Sequence, residues 1–254
     1  MEGLKRFFSQ VKWYEWLYMS LFICIIIVLG CVFKAGALVI FNSLFGILAV
    51  FFLAKGKMIG NVLGVIQSVL YIVISYFNAF YGEVLLCCCI TIPIYIASII
   101  SWARNLNGKD KIVKVNKSLG WVEWIVSILS AVVISIGIYF LLDFFNTANL
   151  LVSTLSVFSC LMAGYLVVRR SEYNFVFYIL NNIVCICLWL YVILQNNEIG
   201  YITTIVQYCM FLILNIFGVF NWIKIKKVQR LRKLVLKKKS EKLTMDKDYM
   251  KEFK

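Results

Sequence analysis

Runs of about twenty apolar residues follow one another along this chain, separated by short polar breaks. At about 1.5 Å of rise per residue, each run is long enough to cross a hydrocarbon core of about 30 Å as one helix. Eight can be laid out, at residues 16–33, 36–54, 58–80, 84–103, 121–142, 147–168, 173–194 and 200–223. The predicted class is an all-α integral membrane bundle. The first run is the shortest and has room to lie partly in the interface. No small-residue cleavage site follows it, so it is not read as a removed signal peptide.

Within the third run the polar positions are ordered. Asn61, Gly64, Ser68, Tyr71, Ser75 and Asn78 recur at helical spacing and share one side of a helix, with Gln67 beside them. A lipid-facing helix gains nothing from such a stripe, so it is expected to face protein or a water-filled path. The seventh run has its own face of Asn174, Tyr178, Asn181 and Cys185, with Asn182 and Trp189 alongside. In the eighth, Gln207, Phe211, Asn215, Gly218 and Trp222 keep helical spacing. An amide that ties two helices together contributes about 0.6 kcal/mol, which accounts for any one of these residues alone. The whole set reads better as a polar path.

A shift of 120 residues places Asn61 on Asn181, Tyr71 on Tyr191, Tyr81 on Tyr201 and Trp102 on Trp222. Upstream, with a small gap, Ser43-Leu-Phe resembles Ser156-Val-Phe, and the Lys55/Lys57 corner matches Arg169/Arg170. The expected architecture is two parallel three-helix repeats joined by a lone helix, 3+1+3, with an extra N-terminal helix. Its divisions are an N-terminal segment and extra helix (1–35), a first repeat (36–103), a basic loop with the linker helix (104–146), a second repeat (147–223) and a basic tail (224–254). A substrate path is expected where the repeats meet. Pro93, the chain's one proline, falls mid-way along the fourth run and reads equally as a hinge or as a static kink.

Composition agrees with the pattern: 63% of the 254 residues are hydrophobic and the mean hydropathy is +0.90. The net charge of +14 is distributed unevenly, since twenty-five of the 26 Lys and Arg residues fall on one side of an eight-span chain, leaving Lys34 on the other. The positive-inside rule then puts both termini in the cytoplasm. The basic tail reads as a flank touching anionic headgroups, at about 1 kcal/mol per basic residue near the surface. No folded reader module accompanies it, so nucleic acid is not an expected partner. All nine cysteines lie inside spans, and with no histidine in the chain the Cys87-Cys88-Cys89 triplet reads as polarizable filler, not a metal site. No cofactor is implied. Acids are scattered, which speaks against a membrane enzyme. None lies deep in a span as a proton relay would require, so uniport is expected.

At the residues just described the sequence resembles the PnuC family of bacterial nicotinamide riboside transporters. The resemblance runs from about Leu38 to Trp222 and is carried by Lys55-Gly56-Lys57, Asn61-x-x-Gly64, Tyr71-x-x-x-Ser75, Tyr81-Gly82-Glu83 and Trp102. In the second half it rests on Arg170-x-Glu172, Asn181 and Asn215-x-x-Gly218-x-x-x-Trp222. Asn174 and Phe177 stand where that family's WxxWxxxN stretch has its tryptophans. The resemblance implies a fold like the SWEET sugar transporters, a homotrimer in the bacterial inner (plasma) membrane, and facilitated diffusion with cytoplasmic phosphorylation trapping the substrate. Thiamine or another nucleoside-like vitamin is the alternative cargo. For a ring with a fixed positive charge, Tyr71, Phe177, Tyr178 and Trp189 are the expected aromatic contacts. Asn61, Gln67, Asn181, Gln207 and Asn215 are the expected amides for ribose and carboxamide.

Overall fold

The computed structural model describes residues 12–77, 81–107, 111–116, 119–145, 149–196 and 202–252. Asn78, Lys109, Lys117, Glu198 and Tyr201 lie outside them, as do Lys5 and Arg6 of the N-terminal segment. Among the described residues eight helical stretches are long and apolar enough to span a membrane. They are α1 (Trp13–Val32), α2 (Ala37–Ala54), α3 (Ile59–Phe77), a broken fourth span, α6 (Trp121–Phe144), α7 (Leu150–Val168), α8 (Asn174–Asn196) and α9 (Ile202–Glu252). The fourth span consists of α4 (Tyr81–Leu86), a π-helical turn (Cys87–Thr91) and α5 (Ile92–Ala103). Pro93 lacks the N–H that would continue the ladder, and the widened turn, in which Ile92 N–H reaches back to Cys87 O, sits directly before it. The cysteine triplet is thus part of the kink. Pro93 itself is exposed on the outside of the bundle.

The two basic corners are built alike. At the end of α2 the chain turns through Gly56 at φ 68°. Gly56 N–H donates to Leu53 O at 2.8 Å and Lys57 N–H to Phe52 O at 2.9 Å, a Schellman end. At the end of α7, Arg170 takes the same left-handed conformation at φ 56°. Arg170 N–H reaches Val167 O and Ser171 N–H reaches Leu166 O, both at 3.0 Å. Glycine tolerates this backbone freely, whereas arginine is strained in it by about 1–2 kcal/mol.

These corners correct the repeat register. Gly56 corresponds to Arg170, and Gly60, whose N–H meets Lys57 O, corresponds to Asn174, whose N–H meets Ser171 O. The offset through the first two helices is therefore 114 residues, not 120. Trp102 and Trp222 keep the offset of 120, so the second unit gains its six extra residues between its second and third helices. In space Asn61 is level with Phe175, Gly64 with Tyr178, and Gln67 with Asn181.

The units α2–α3–α5 and α7–α8–α9 exchange their outer helices, with α2 packed on α9 and α5 on α7. Glycine makes both approaches close, as Gly46 lies against Phe211 and Gly164 against Ile94. Helix α1 packs on α2 and α9, and α6 packs on α7. Below the corners, strands β1 (Leu106–Asn107) and β2 (Ile112–Val113) form a small antiparallel hairpin. Past the expected end of the last span, α9 continues through the basic segment to Glu252.

Candidate functional site

The bundle is stacked in layers that rise from the basic end. Lowest is the hairpin. Val113 is fully buried, its N–H donating to Gly56 O at 2.9 Å, while Asn116 N–H donates to Arg170 O at 3.0 Å. The side chain of Gln229 on α9 brackets the same segment, donating to Val113 O at 2.9 Å and accepting from Val115 N–H at 3.0 Å. One short segment is thus tied to both corners and to the last helix.

Above it, the indoles of Trp102 and Trp222 meet with centroids 5.6 Å apart, both fully buried. Each crosses to the other repeat: Trp102 Nε1–H donates to Val167 O at 2.8 Å, and Trp222 Nε1–H to Leu53 O at 2.9 Å. Ser101 and Asn221, which precede them, repeat the exchange onto Val168 O at 2.7 Å and Ala54 O at 2.8 Å.

The next layer holds Asn61 and Phe175. Asn61 is 0% exposed, and neither of its amide atoms has a hydrogen-bond partner. On α5, Ser98 is also fully buried with an unpaired hydroxyl. On the opposite side, Phe175 fills the space against Gly218. One turn higher, Gly64 faces Tyr95, and Tyr178 stands at the matching height on α8. Tyr95 and Tyr178 are half-buried, and both pack against the cluster that holds Trp102 and Trp222.

Gln67 and Asn181 come next, each eleven residues beyond its corner's left-handed residue, or about 16 Å along the helix. Both are half-buried, and Asn181 accepts a hydrogen bond from Ser156 at 3.0 Å. Gln207 accepts from Ser43 at 2.8 Å across the α2–α9 contact, and Asn215 on α9 is buried. Tyr71 and Trp189 are half-buried farther from the basic end. Phe177 is stacked on Trp124 of the linker helix, with ring planes 30° apart. By height along α3 and α8, Gln67 and Asn181 share one level, Tyr178 lies a turn below and Asn61 below that, while Phe177 is held against α6. Tyr95 was missed in the sequence, although a 120-residue shift pairs it with Asn215.

Three acids at the basic end of the bundle each meet a cation, whereas Asp143 stands exposed in the last turn of α6 at the other end. Glu15, which the sequence reading left just outside the first span, belongs to the first turn of α1 and is 2% exposed. Its two carboxylate oxygens accept from Lys55 Nζ at 2.8 Å. Glu123 pairs with Arg169 and accepts from Tyr165 Oη–H at 2.7 Å. The hydrogen bond to that carboxylate raises the already high pKa of Arg169. Glu172 pairs with Lys226. No Asp, Glu, Lys or Arg lies in the layers that hold Asn61, Gly64 and Gln67 on α3 and Phe175, Tyr178 and Asn181 on α8.

The chain matches the family model described as nicotinamide mononucleotide transporter over residues 36–224. It is 27% identical over 187 residues to a nicotinamide riboside transporter, PnuC, of Neisseria mucosa, covering 72% of this chain and 70% of that one. Its fold is similar to a solved structure titled as the vitamin B3 transporter PnuC, with a TM-score of 0.76 at 24% identity, covering 89% of this chain and 98% of that one.

Proposed function

We propose, given that this chain belongs to the nicotinamide mononucleotide transporter family, that it carries nicotinamide riboside across the membrane by facilitated diffusion, with cytoplasmic phosphorylation trapping the cargo. The protein is a multi-pass transporter and not an enzyme. The observation that supports the choice of cargo is the order of levels along α3 and α8, with tyrosine rings at one level and the Gln67 and Asn181 amides at the next. A cationic ring with no counter-anion nearby is held by aromatic faces. Amides left unpaired by a wrong ligand reject it.

In this reading the basic end faces the cytoplasm of a bacterial cell and is closed, by the hairpin, the indole pair and the corner ion pairs. Cargo enters from the other side. Release requires those layers to part, with the π turn before Pro93 as the place where the fourth span bends. Glu15, Glu123 and Glu172 are committed to ion pairs at the basic end and Asp143 is exposed at the opposite one, which supports uniport. The membrane potential still draws a cation inward, by about 2.3 kcal/mol per 100 mV. The assembly proposed is a homotrimer.

Thiamine, also a cationic heteroaromatic, is the second reading. It is favoured by one observation: Asn174 donates to Ser171 O at 2.6 Å and Phe177 packs on Trp124, so neither position presents an indole to the bundle's interior. Uptake of radiolabelled nicotinamide riboside and thiamine into liposomes enclosing the matching kinase decides between them. Riboside uptake that is unchanged when a proton gradient is collapsed at fixed voltage is the expected result. Flux of thiamine alone would overturn the cargo, and strong proton dependence would overturn uniport.

A further inference from the structure

We propose that Tyr95 is a wall of the substrate site, positioned by Gly64, and that with Tyr178 it forms a two-sided aromatic seat for a planar cationic ring. The inference rests on the transporter reading and adds to it a contact residue from an apolar helix, together with the glycine that places it.

The packing at Gly64 is the first ground. A Cβ at that position would stand 2.5 Å from two ring atoms of Tyr95, closer than any real side chain comes. Only a glycine lets the ring lie flat against α3 at this height. The second ground is level: the 114-residue register puts Gly64 opposite Tyr178, so one repeat supplies its aromatic from the third helix and the other from the middle helix. The third is exposure, since both rings pack against the cluster of Trp102 and Trp222 and are still only half-buried. The last is the absence of any alternative partner for positive charge, as the membrane-spanning parts of α3, α5, α7, α8 and α9 carry no carboxylate. Beneath the rings, the amide of Asn61 and the hydroxyl of Ser98 are fully buried and unpaired.

A tyrosine that merely fills the core would respond to size alone, whereas a ring that holds a cation responds to ligand charge. The test is calorimetry on the full-length purified protein with two probes, nicotinamide riboside and its neutral dihydro form. Wild type is expected to bind the cationic form more tightly. Tyr95→Phe should stay within about 3-fold, because the ring face remains. Tyr95→Leu should weaken the cationic form by about 3- to 30-fold and the neutral form much less. Tyr95→Met, which better preserves volume, should do the same and serves if the leucine variant does not fold. Gly64→Ala should weaken the cationic form in the wild-type background and add nothing to Tyr95→Leu, since it acts through the ring. Equal losses for both probes, or no loss in either ring-removing variant while wild type binds, would overturn the aromatic seat alone. Wild type binding neither probe would overturn the nicotinamide riboside reading and the seat with it.

Discussion

Replacing Trp102 and Trp222 together by phenylalanine should loosen the basic end while leaving the rest of the bundle intact. Each substitution keeps an aromatic ring in the core and removes an indole N–H that reaches across the repeat boundary, at 2.8 and 2.9 Å. The acceptor carbonyls are not orphaned by the change. Val167 O still accepts from Arg170 N–H, and Leu53 O from Gly56 N–H. The loss is therefore the net value of a hydrogen bond, about 0.5–1.5 kcal/mol each, with an added term for the volume lost from the ring. The two rings touch, so the costs need not sum. About 2 kcal/mol for the pair is a fair figure, which is roughly 30-fold in an opening equilibrium.

The readout is amide hydrogen exchange of the hairpin, followed by mass spectrometry on protein in nanodiscs. Val113 N–H and Asn116 N–H are bonded to Gly56 O and Arg170 O, one corner in each repeat. If the indole pair holds the corners together, exchange in peptides covering residues 111–116 should accelerate about 30-fold in the double variant, and far less in peptides from the opposite end of α3 and α8. Unchanged hairpin protection with a lowered Tm would refute the reasoning. The tryptophans would then be core filler, and the corners would be held by something else.

Asn61→Leu should raise thermal stability by about 1–3 kcal/mol, because it replaces a fully buried amide without partners by an apolar group of similar size. The same variant should slow transport, since an amide at the level below the tyrosines is lost; a lower Tm would mean that Asn61 is satisfied after all. Glu15→Gln should cost about 3–5 kcal/mol, because it strands Lys55 in a buried ion pair. Glu123→Gln should cost about 1 kcal/mol or less, its Arg169 partner being part-exposed. Thermal denaturation of the two variants side by side checks that ranking.

Much of the architecture was legible because the bilayer imposes it. Helix length, basic loops and the corner cations are direct consequences of a hydrocarbon solvent, and they appear in the sequence at Lys55, Lys57, Arg169 and Arg170. The repeat register was misread because aromatic residues at helix ends recur at Tyr81 and Tyr201 whatever the depth of the helix, while the corner turn depends on Gly56 and Arg170, two residues with nothing chemical in common. Tyr95 was hidden for a related reason. It sits in a helix of isoleucines with Pro93 and Trp102, where a tyrosine looks like packing, and its importance comes from a glycine on another helix. The hairpin left no periodic signal, since two-residue strands are held by the corners they touch and not by their own pattern.

One regularity in the sequence gains its meaning only from the ion pairs. Trp13-Tyr14-Glu15-Trp16 opens α1 and Trp121-Val122-Glu123-Trp124 opens α6, with the glutamate third in each helix. Each glutamate holds the cation that caps the following helix, Lys55 after α2 and Arg169 after α7. The extra N-terminal helix and the linker helix therefore play one role twice, pinning a basic corner from outside the three-helix unit. The pins differ in strength. Glu15 and Lys55 have side chains only 3% and 11% exposed, against 28% and 39% for Glu123 and Arg169. A buried pair resists separation because each charge would be left without solvent, whereas an exposed pair trades its partner for water at little cost. The second corner also carries Arg170 in a strained left-handed turn where the first has Gly56. Weaker pinning and stored strain fall on the same side, so the expected outcome of any opening at the basic end is movement of the α7–α8 corner with the α2–α3 corner fixed.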